Sequence, residues 1–199
     1  MATMADHYAT HLASLYEWMA GDVEGALVRS AAELYALAIT LRGNGRGMAV
    51  DLGAGIGLHS IPLAQRGYEV LAMDSNERLS ITLRSLASLL PINCIHGDLL
   101  DFQNYFLQPA DVIVCMGDTL THLPNVPAVK DLFAAIAGSL SESGLFVATF
   151  RDCVTAPLEA ERRFIPVHSG AGSSGMVSQR PEQGLTCSVR PELVEGHVY

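Results

Sequence analysis

The sequence predicts a single α/β domain built on a doubly wound, mainly parallel β-sheet. Three observations predict this fold class. Short apolar segments alternate with helical patterns between residues 48 and 150, and a glycine-rich loop follows the first of these segments. The fourth of these segments, residues 111–116, is nearly all apolar, as a strand buried on both faces should be. Strands that alternate with helices form right-handed βαβ units, and such units give a parallel sheet.

Length and composition agree with this prediction and exclude several classes of protein. The chain has 199 residues, about one domain's worth, and its 49% hydrophobic and 17% charged residues exclude a disordered chain. The net charge of −9 argues against a nucleic-acid partner, which requires clustered Lys and Arg. Because the chain begins without a basic segment and holds no long apolar run, we expect no signal peptide and no membrane partner, and therefore a cytoplasmic protein.

The N-terminal region reads as helical. Apolar residues recur at helical spacing through residues 5–41, and Gly21 and Gly25 predict a break between two helices. Three glycines within residues 43–47 predict a loop. Residues 1–42 are therefore expected to form a helical addition to the α/β core.

The core has recognisable element boundaries. Gly67 is expected to end the first core helix, whereas Ser75 caps the second and Pro91 stops it. A turn is expected at residues 141–144, before the last core strand. The predicted strands are 48–52, 68–73, 92–96, 111–116 and 145–150, and the predicted helices are 58–65, 76–90 and 127–140.

The C-terminal region is less regular. The core is expected to extend over residues 43–168. Residues 169–199 are expected to form a flexible loop and a tail within the same single domain. Further strands are predicted only at residues 163–168 and 185–189.

A glycine-rich loop joins the first core strand to the first core helix. Glycine tolerates positive φ and lets a ligand approach the backbone closely, and the start of a helix supplies free N–H groups. In doubly wound sheets, ligands bind at the carboxyl ends of the strands, near the switch in strand order. The loop therefore predicts a cofactor site that includes Asp51, Gly53, Ala54, Gly55 and Gly57.

Two kinds of cofactor compete for this loop. The dinucleotide pattern is G-x-G-x-x-G. Counting from Gly53 or from Gly55, the sixth position holds Leu58 or Ser60, so the pattern is a near miss. A dinucleotide-dependent oxidoreductase therefore remains the less favoured alternative.

Residues 50–57 resemble the first motif of the class I S-adenosylmethionine-dependent methyltransferases, which implies a Rossmann-like methyltransferase fold. The resemblance implies that Asp74, followed by Ser75, contacts the ribose hydroxyls of the methyl donor. A carboxylate can accept two hydrogen bonds from a vicinal diol. Because dinucleotide enzymes use an acid in the same way, Asp74 alone does not discriminate between the two cofactors.

A second acid follows the third strand. By resemblance to the family, Asp98 contacts the adenine amino group and Leu99 packs on the ring. Asp101 is a nearby rival, but Asp98 is preferred because it lies closer to the strand. This second acid favours a methyl donor over a dinucleotide.

The loop after the fourth strand resembles that of a subgroup of small bacterial methyltransferases. The resemblance implies that Met116 and Gly117 offer carbonyl groups to the amino end of the donor. His122 is the candidate base because its pKa lies near operating pH, or else it only holds the loop. Asp118 is a candidate to bind a substrate amine or orient His122; alternatively, it orders the loop through its own backbone.

Aromatic residues in the N-terminal region resemble the lid of the same subgroup. Tyr16 and Trp18 are expected to close over the donor, where aromatic faces favour a sulfonium. Ordinary helix packing is the alternative explanation. The family sheet ends in an antiparallel hairpin, and the tail of this chain predicts a short or atypical one.

The predicted function is S-adenosylmethionine-dependent methyl transfer, in line, to a small-molecule acceptor, with S-adenosylhomocysteine as the product. The alternative is a non-catalytic S-adenosylmethionine-binding protein that acts as a sensor or partner subunit. The spacing of His and Cys predicts no metal site. A monomer or a homodimer is expected.

Overall fold

The computed structural model describes residues 22–37, 39, 47–105, 107–151 and 184–189. The helices are α1 Val23–Ala36, α2 Ser60–Gln65, α3 Glu77–Leu86 and α4 Val126–Ser139. The strands are β1 Gly47–Leu52, β2 Tyr68–Asp74, β3 Ile92–His96, β4 Ala110–Cys115, β5 Leu140–Arg151 and β6 Gly184–Val189. Two 3-10 segments lie at Leu99–Tyr105 and Thr119–His122.

In the part of the chain that the structure describes, six strands form one sheet in the order β3-β2-β1-β4-β5-β6. The first five run parallel, and β6 runs antiparallel to β5. The chain builds outward from β1 to β3, then returns to the other side of β1 with β4. The strand order therefore reverses between β1 and β4, whose carboxyl ends border the expected binding crevice.

Helices cover both faces of the sheet, which confirms the doubly wound fold. On one face, α1, α2 and α3 contribute Leu34, Leu63 and Leu83 to an apolar core that also includes Ala49, Val70 and Val112 from the strands. On the other face, α4 and the first 3-10 segment contribute Leu132, Ile136 and Phe102, which pack against Val50, Leu71 and Ile113. Successive strand residues point to opposite faces, so the central strands β1, β2 and β4 contribute apolar side chains to both cores.

Hydrogen bonds from Arg66, the residue that follows α2, hold α1 against the core. The Arg66 guanidinium donates to the carbonyl of Ala31 at 2.6 Å and to the carbonyl of Ile39. It also lies over the Tyr35 ring, 6.0 Å from the ring centroid. These contacts place the end of the N-terminal region against the start of the α/β core.

Two expectations for the N-terminal region were wrong. Gly25 lies inside α1 rather than at a break, and α1 ends at Ala36 instead of continuing to residue 41. After the helix the chain turns back, because the Ile39 N–H bonds the Leu34 carbonyl and the Ile39 side chain enters the core. Tyr16 and Trp18 lie outside the described residues.

Several predicted boundaries moved. The first core helix begins at Ser60 rather than at residue 58, because the Gly57 N–H bonds the Ala54 carbonyl and keeps the chain in turns. Gly67 ends that helix as predicted, with a φ of 92°. The β4 strand and α4 each begin one residue earlier than expected.

The cap predicted for the next helix was also wrong. Asn76, not Ser75, caps α3, since the Asn76 side chain accepts the Leu79 N–H at 3.2 Å. The helix ends at Leu86 rather than at residue 90. The intervening residues form a turn in which the Leu90 N–H bonds the Ala87 carbonyl.

The turn predicted at residues 141–144 is instead a bulge at the start of β5. Leu140 pairs with Ala110, and Leu145 pairs with Val112. Between these two pairs β5 therefore contains more residues than β4. Gly144 fits here because a Cβ would stand 2.9 Å from the Ala110 carbonyl oxygen. A polar, glycine-containing segment reads as a turn from sequence, although pairing with β4 keeps it in the sheet.

The C-terminal strand predicted at residues 185–189 is confirmed by β6. It pairs with β5 from Phe146↔Val189 to Arg151↔Gly184. The strand predicted at residues 163–168 lies outside the described residues. Among the described helices, none has the length and apolar character required to cross a membrane.

Candidate cofactor and active site

The glycine loop adopts backbone angles that need glycine. Gly53, Gly55 and Gly57 have φ values of 78°, 56° and 90°, in the left-handed region. The N–H groups of Gly53 and Ala54 both donate to the Met73 carbonyl, at 2.9 and 3.0 Å. The loop is thus held against the end of β2.

Asp51 supports the loop from below. Its side chain is 1% exposed and accepts the Ser60 hydroxyl at 2.5 Å. Burial raises the pKa of Asp51, and the nearby His59 opposes that rise. The hydrogen bond joins the end of β1 to the first residue of α2, so this side chain fixes the ends of the glycine loop.

Asp74 ends β2 at the edge of the crevice. One carboxylate oxygen accepts the Gly55 N–H at 2.7 Å, and the other accepts the Asn76 N–H at 2.8 Å. Desolvation by burial raises the pKa of Asp74, against the opposing effect of these two N–H groups and of His96 and His122. Each oxygen keeps further acceptor capacity, so the carboxylate can still receive a pair of hydroxyl groups.

The segment after β3 carries the second acid. Asp98 is exposed, and its carboxylate accepts the Leu100 N–H at 2.9 Å, which caps the first 3-10 segment. Leu99 is half-buried and packs against the core. Asp101 is also exposed, one turn further along the same segment. Asp98 therefore keeps the position nearer to the strand end.

The loop after β4 is held at two points. The Gly117 N–H donates to the Thr149 hydroxyl at 2.7 Å, and the Thr119 hydroxyl donates to the Met116 carbonyl at 3.1 Å. Gly117 has a φ of 72°, and a Cβ built on it would meet nothing within 4 Å. The backbone is therefore open to a close ligand at this position.

The two candidate catalytic residues flank the second 3-10 segment. The Asp118 carbonyl accepts both the N–H and the hydroxyl of Thr121, at 2.9 and 2.6 Å, whereas the Asp118 carboxylate forms no cap on this segment. His122 is exposed, and its positive charge would lower the pKa of Asp74. His122 is therefore close enough to the crevice to affect the acid at the end of β2.

The structure thus brings the loop after β4 into electrostatic range of Asp74, at the edge of the sheet that also holds the glycine loop.

Sequence reasoning missed Ser60, Thr119 and Thr149. Thr119 stands in the loop that the sequence singles out, at the third position after Met116. Only its polar side chain in a ligand-facing loop could have drawn attention. Thr149 carries no local signal, because only strand pairing places it beside Gly117.

A doubly wound sheet with a glycine loop and an acid at the switch in strand order defines a nucleotide- or nucleoside-binding α/β domain. Residues 49–144 match the family described as "Methyltransferase domain". This match confirms the resemblance to methyltransferases that the sequence predicts.

Two curated relatives are named as methyltransferases. The glycine/sarcosine N-methyltransferase of Aphanothece halophytica is 23% identical over 115 residues, or 57% of this chain and 43% of that protein. The "Putative methyltransferase YqeM" of Bacillus subtilis (strain 168) is 30% identical over 103 residues, or 51% of this chain and 41% of that protein. The chain therefore spans less than half the length of these relatives.

A solved structure shares the fold. The magnesium protoporphyrin IX methyltransferase of Synechocystis PCC 6803, crystallised with bound S-adenosylmethionine, superposes with a TM-score of 0.55 at 22% identity, covering 74% of each chain. The likeness supports the fold, and the ligand of that structure is the cofactor that the sequence predicts for this chain.

Proposed function

We propose that the chain binds S-adenosylmethionine in the crevice at the carboxyl ends of β1, β2 and β4, and transfers its methyl group to a small-molecule acceptor. The observation that carries the proposal is the Asp74 carboxylate, held against the glycine loop by the Gly55 N–H at 2.7 Å. That placement fits a nucleoside diol bound where the strand order reverses.

The residues of the crevice match the chemistry of this cofactor. Asp74 accepts the ribose hydroxyls, with Ser75 beside it, and Asp98 accepts the adenine amino group while Leu99 packs on the ring. The Met116 carbonyl and Gly117 receive the donor's amino end. Gly53, Ala54, Gly55 and Gly57 let the ligand lie close to the backbone, while Asp51 holds their loop; Tyr16 and Trp18 are proposed to close over the sulfonium.

When bound, S-adenosylmethionine supplies a methyl group already activated by its sulfonium. Transfer of this group to a lone pair of the acceptor would break the carbon–sulfur bond and release S-adenosylhomocysteine. The protein aligns the acceptor and excludes water. His122 takes the acceptor's proton, and Asp118 binds an acceptor amine or orients His122.

The acceptor class has its own support. The net charge of −9 disfavours nucleic acid. Two of the similar proteins are methyltransferases whose names give small-molecule acceptors, one glycine and sarcosine and the other magnesium protoporphyrin IX. We therefore infer a small-molecule acceptor for this chain.

Turnover with methyl-labelled S-adenosylmethionine tests the proposal. The chain is offered panels of small amines, alcohols, thiols and carboxylic acids, and S-adenosylhomocysteine is measured. Acceptor-dependent formation of S-adenosylhomocysteine supports the proposal. Binding of S-adenosylhomocysteine without turnover on any panel would instead support the non-catalytic alternative.

A matched pair of variants tests the base. His122→Gln is expected to slow turnover about a hundredfold, since a positioned base typically contributes 10²–10⁴-fold. His96→Gln is the control, because His96 also acts on the pKa of Asp74 but bonds the Ser75 carbonyl. Equal loss in both variants would mean that His122 acts only through the field at Asp74.

A further inference from the structure

We propose that Thr119 and Thr149 form a clamp that positions the Met116–Gly117 peptide, to which the proposed function assigns the amino-acid end of the donor. This threonine clamp rests on the proposed function and adds two positioning residues to it. Neither residue belongs to the glycine loop or to the acids that the sequence predicts.

Thr119 interlocks two loops. Its hydroxyl donates to the Met116 carbonyl at 3.1 Å, within the loop after β4. Its side chain also lies against Gly53 so closely that a Cβ on Gly53 would overlap the Thr119 hydroxyl and methyl groups. Gly53 thus serves two needs, a φ of 78° and room for Thr119. The glycine loop and the loop after β4 are thereby held in fixed register where the strand order reverses.

Thr149 holds the same peptide from the neighbouring strand. Its hydroxyl accepts the Gly117 N–H at 2.7 Å and lies 4.0 Å from the Met116 sulfur, to which it can donate. The strand pairing that sets this contact is close by, since Ala148 pairs with Cys115. Both sides of the Met116–Gly117 peptide are therefore fixed by a threonine hydroxyl.

The clamped peptide suits an ammonium group. A carbonyl oxygen has two acceptor positions, and the Thr119 hydroxyl occupies one at Met116, which leaves the other for a ligand donor. A Cβ on Gly117 would meet nothing within 4 Å, so a ligand can approach the backbone there. An ammonium donates hydrogen bonds only, and a fixed carbonyl complements it.

Strand spacing agrees with the placement of the amino-acid end at this subsite. The strands β2 and β4 lie on either side of β1, so Asp74 and Met116 follow strands about 10 Å apart. A donor whose ribose lies at Asp74 therefore reaches the clamped peptide with its other end. The adenosine half lies away from the clamp, toward β3.

Two ligands that differ only in the amino-acid end test the clamp. S-adenosylhomocysteine carries that end, whereas 5′-methylthioadenosine lacks it. Calorimetric titrations compare Thr119→Val and Thr149→Val, which remove the hydroxyl, with Thr119→Ser and Thr149→Ser, which keep it. We expect the affinity of the valine variants for S-adenosylhomocysteine to fall by at least about fivefold. Their affinity for 5′-methylthioadenosine, and both affinities of the serine variants, should stay within about twofold of the original.

The contrast between ligands separates positioning from general damage. Equal weakening for both ligands would show a structural role and overturn the subsite. Unchanged affinity for S-adenosylhomocysteine in both valine variants would overturn it as well. A chain that binds neither ligand before substitution would overturn the proposed function, and the subsite with it.

Hydrogen exchange tests the clamp without any ligand. In the free chain, Thr149→Val is expected to speed exchange of the Gly117 amide about tenfold, whereas Thr149→Ser leaves it close to the original. Equal exchange in all three proteins would overturn the clamp itself, whatever the ligands do. A failed cofactor site and a failed clamp therefore give different results.

Discussion

The carboxylate of Asp74 accepts the Gly55 N–H at 2.7 Å, which joins the end of β2 to the glycine loop. The same carboxylate accepts the Asn76 N–H at the start of α3. One side chain thus links the glycine loop to the start of α3. Its replacement should affect binding more than the loss of any other acid at this edge.

Asp74→Asn should weaken S-adenosylhomocysteine binding roughly tenfold to a hundredfold, because hydrogen bonds to a charged group contribute about 1.5–3 kcal/mol. Asp101→Asn is the control, since Asp101 is an exposed acid on the 3-10 segment after β3. Calorimetric titration measures both. A larger loss of affinity from Asp101→Asn would contradict the account, because the main acidic contact would then lie after β3 and not at the end of β2.

Affinity should also depend on pH through Asp74. Burial raises the pKa of Asp74 above its ordinary value, so the carboxylate gains its proton at a higher pH than a free Asp does. Binding that uses the ionised carboxylate should weaken as pH falls through that raised pKa. Titrations across the acidic range should show this fall in the original chain and a flatter profile in Asp74→Asn. Parallel profiles would show that another group is responsible.

Asp51→Asn should remove part of the pH dependence of stability. Burial raises the pKa of Asp51 above 3.8, so the folded state favours the protonated form. Its contribution to stability is therefore fully present below pH 3.8 and is lost as pH rises through the raised pKa. The amide stays neutral and can still accept the Ser60 hydroxyl.

Thermal unfolding of both proteins over a series of pH values tests this sign. The melting temperature of Asp51→Asn, relative to the original chain, should increase as pH rises. The charge of Asp74 adds to the rise in the pKa of Asp51, so the difference reports Asp51 together with its coupling to Asp74. A difference that shrinks with rising pH would contradict the assignment.

Arg66→Met should destabilise the docking of α1. The substitution removes two hydrogen bonds to the carbonyls of Ala31 and Ile39, at a cost of roughly 1–3 kcal/mol. Arg84→Met is the matched control, because Arg84 donates to the Cys94 carbonyl in an exposed setting. Denaturant unfolding should show a lower midpoint for Arg66→Met than for Arg84→Met. Equal midpoints would show that α1 is held by apolar packing alone.

The sequence predicts best those elements whose boundaries are local. The strand β3 runs over residues 92–96 as predicted, because Pro91 and Gly97 bound the segment on both sides. The bulge at residues 141–144 was not predictable, since it depends on how Leu140 and Leu145 pair with β4. The cap of α3 falls on Asn76 rather than Ser75, a choice between two adjacent capping residues that local propensity does not decide.

In the candidate site, too, the residues placed by local sequence were predictable and those placed by strand pairing were not. The glycine loop and Asp74 follow strand ends, so sequence alone predicts their position. Thr149 lies 32 residues from Gly117, and the hydrogen bond between them depends on the register of β4 against β5. Contacts set by strand pairing are therefore the part of the site that only the structure supplies.

Calorimetric titration of the chain with S-adenosylhomocysteine, and in parallel with NADH, tests the central claim most directly. We predict micromolar binding of S-adenosylhomocysteine at one site, lost in Asp74→Ala, and no binding of NADH. Binding of NADH alone would contradict the assignment and restore the dinucleotide alternative. Binding of neither would leave the fold of a methyltransferase without its cofactor site.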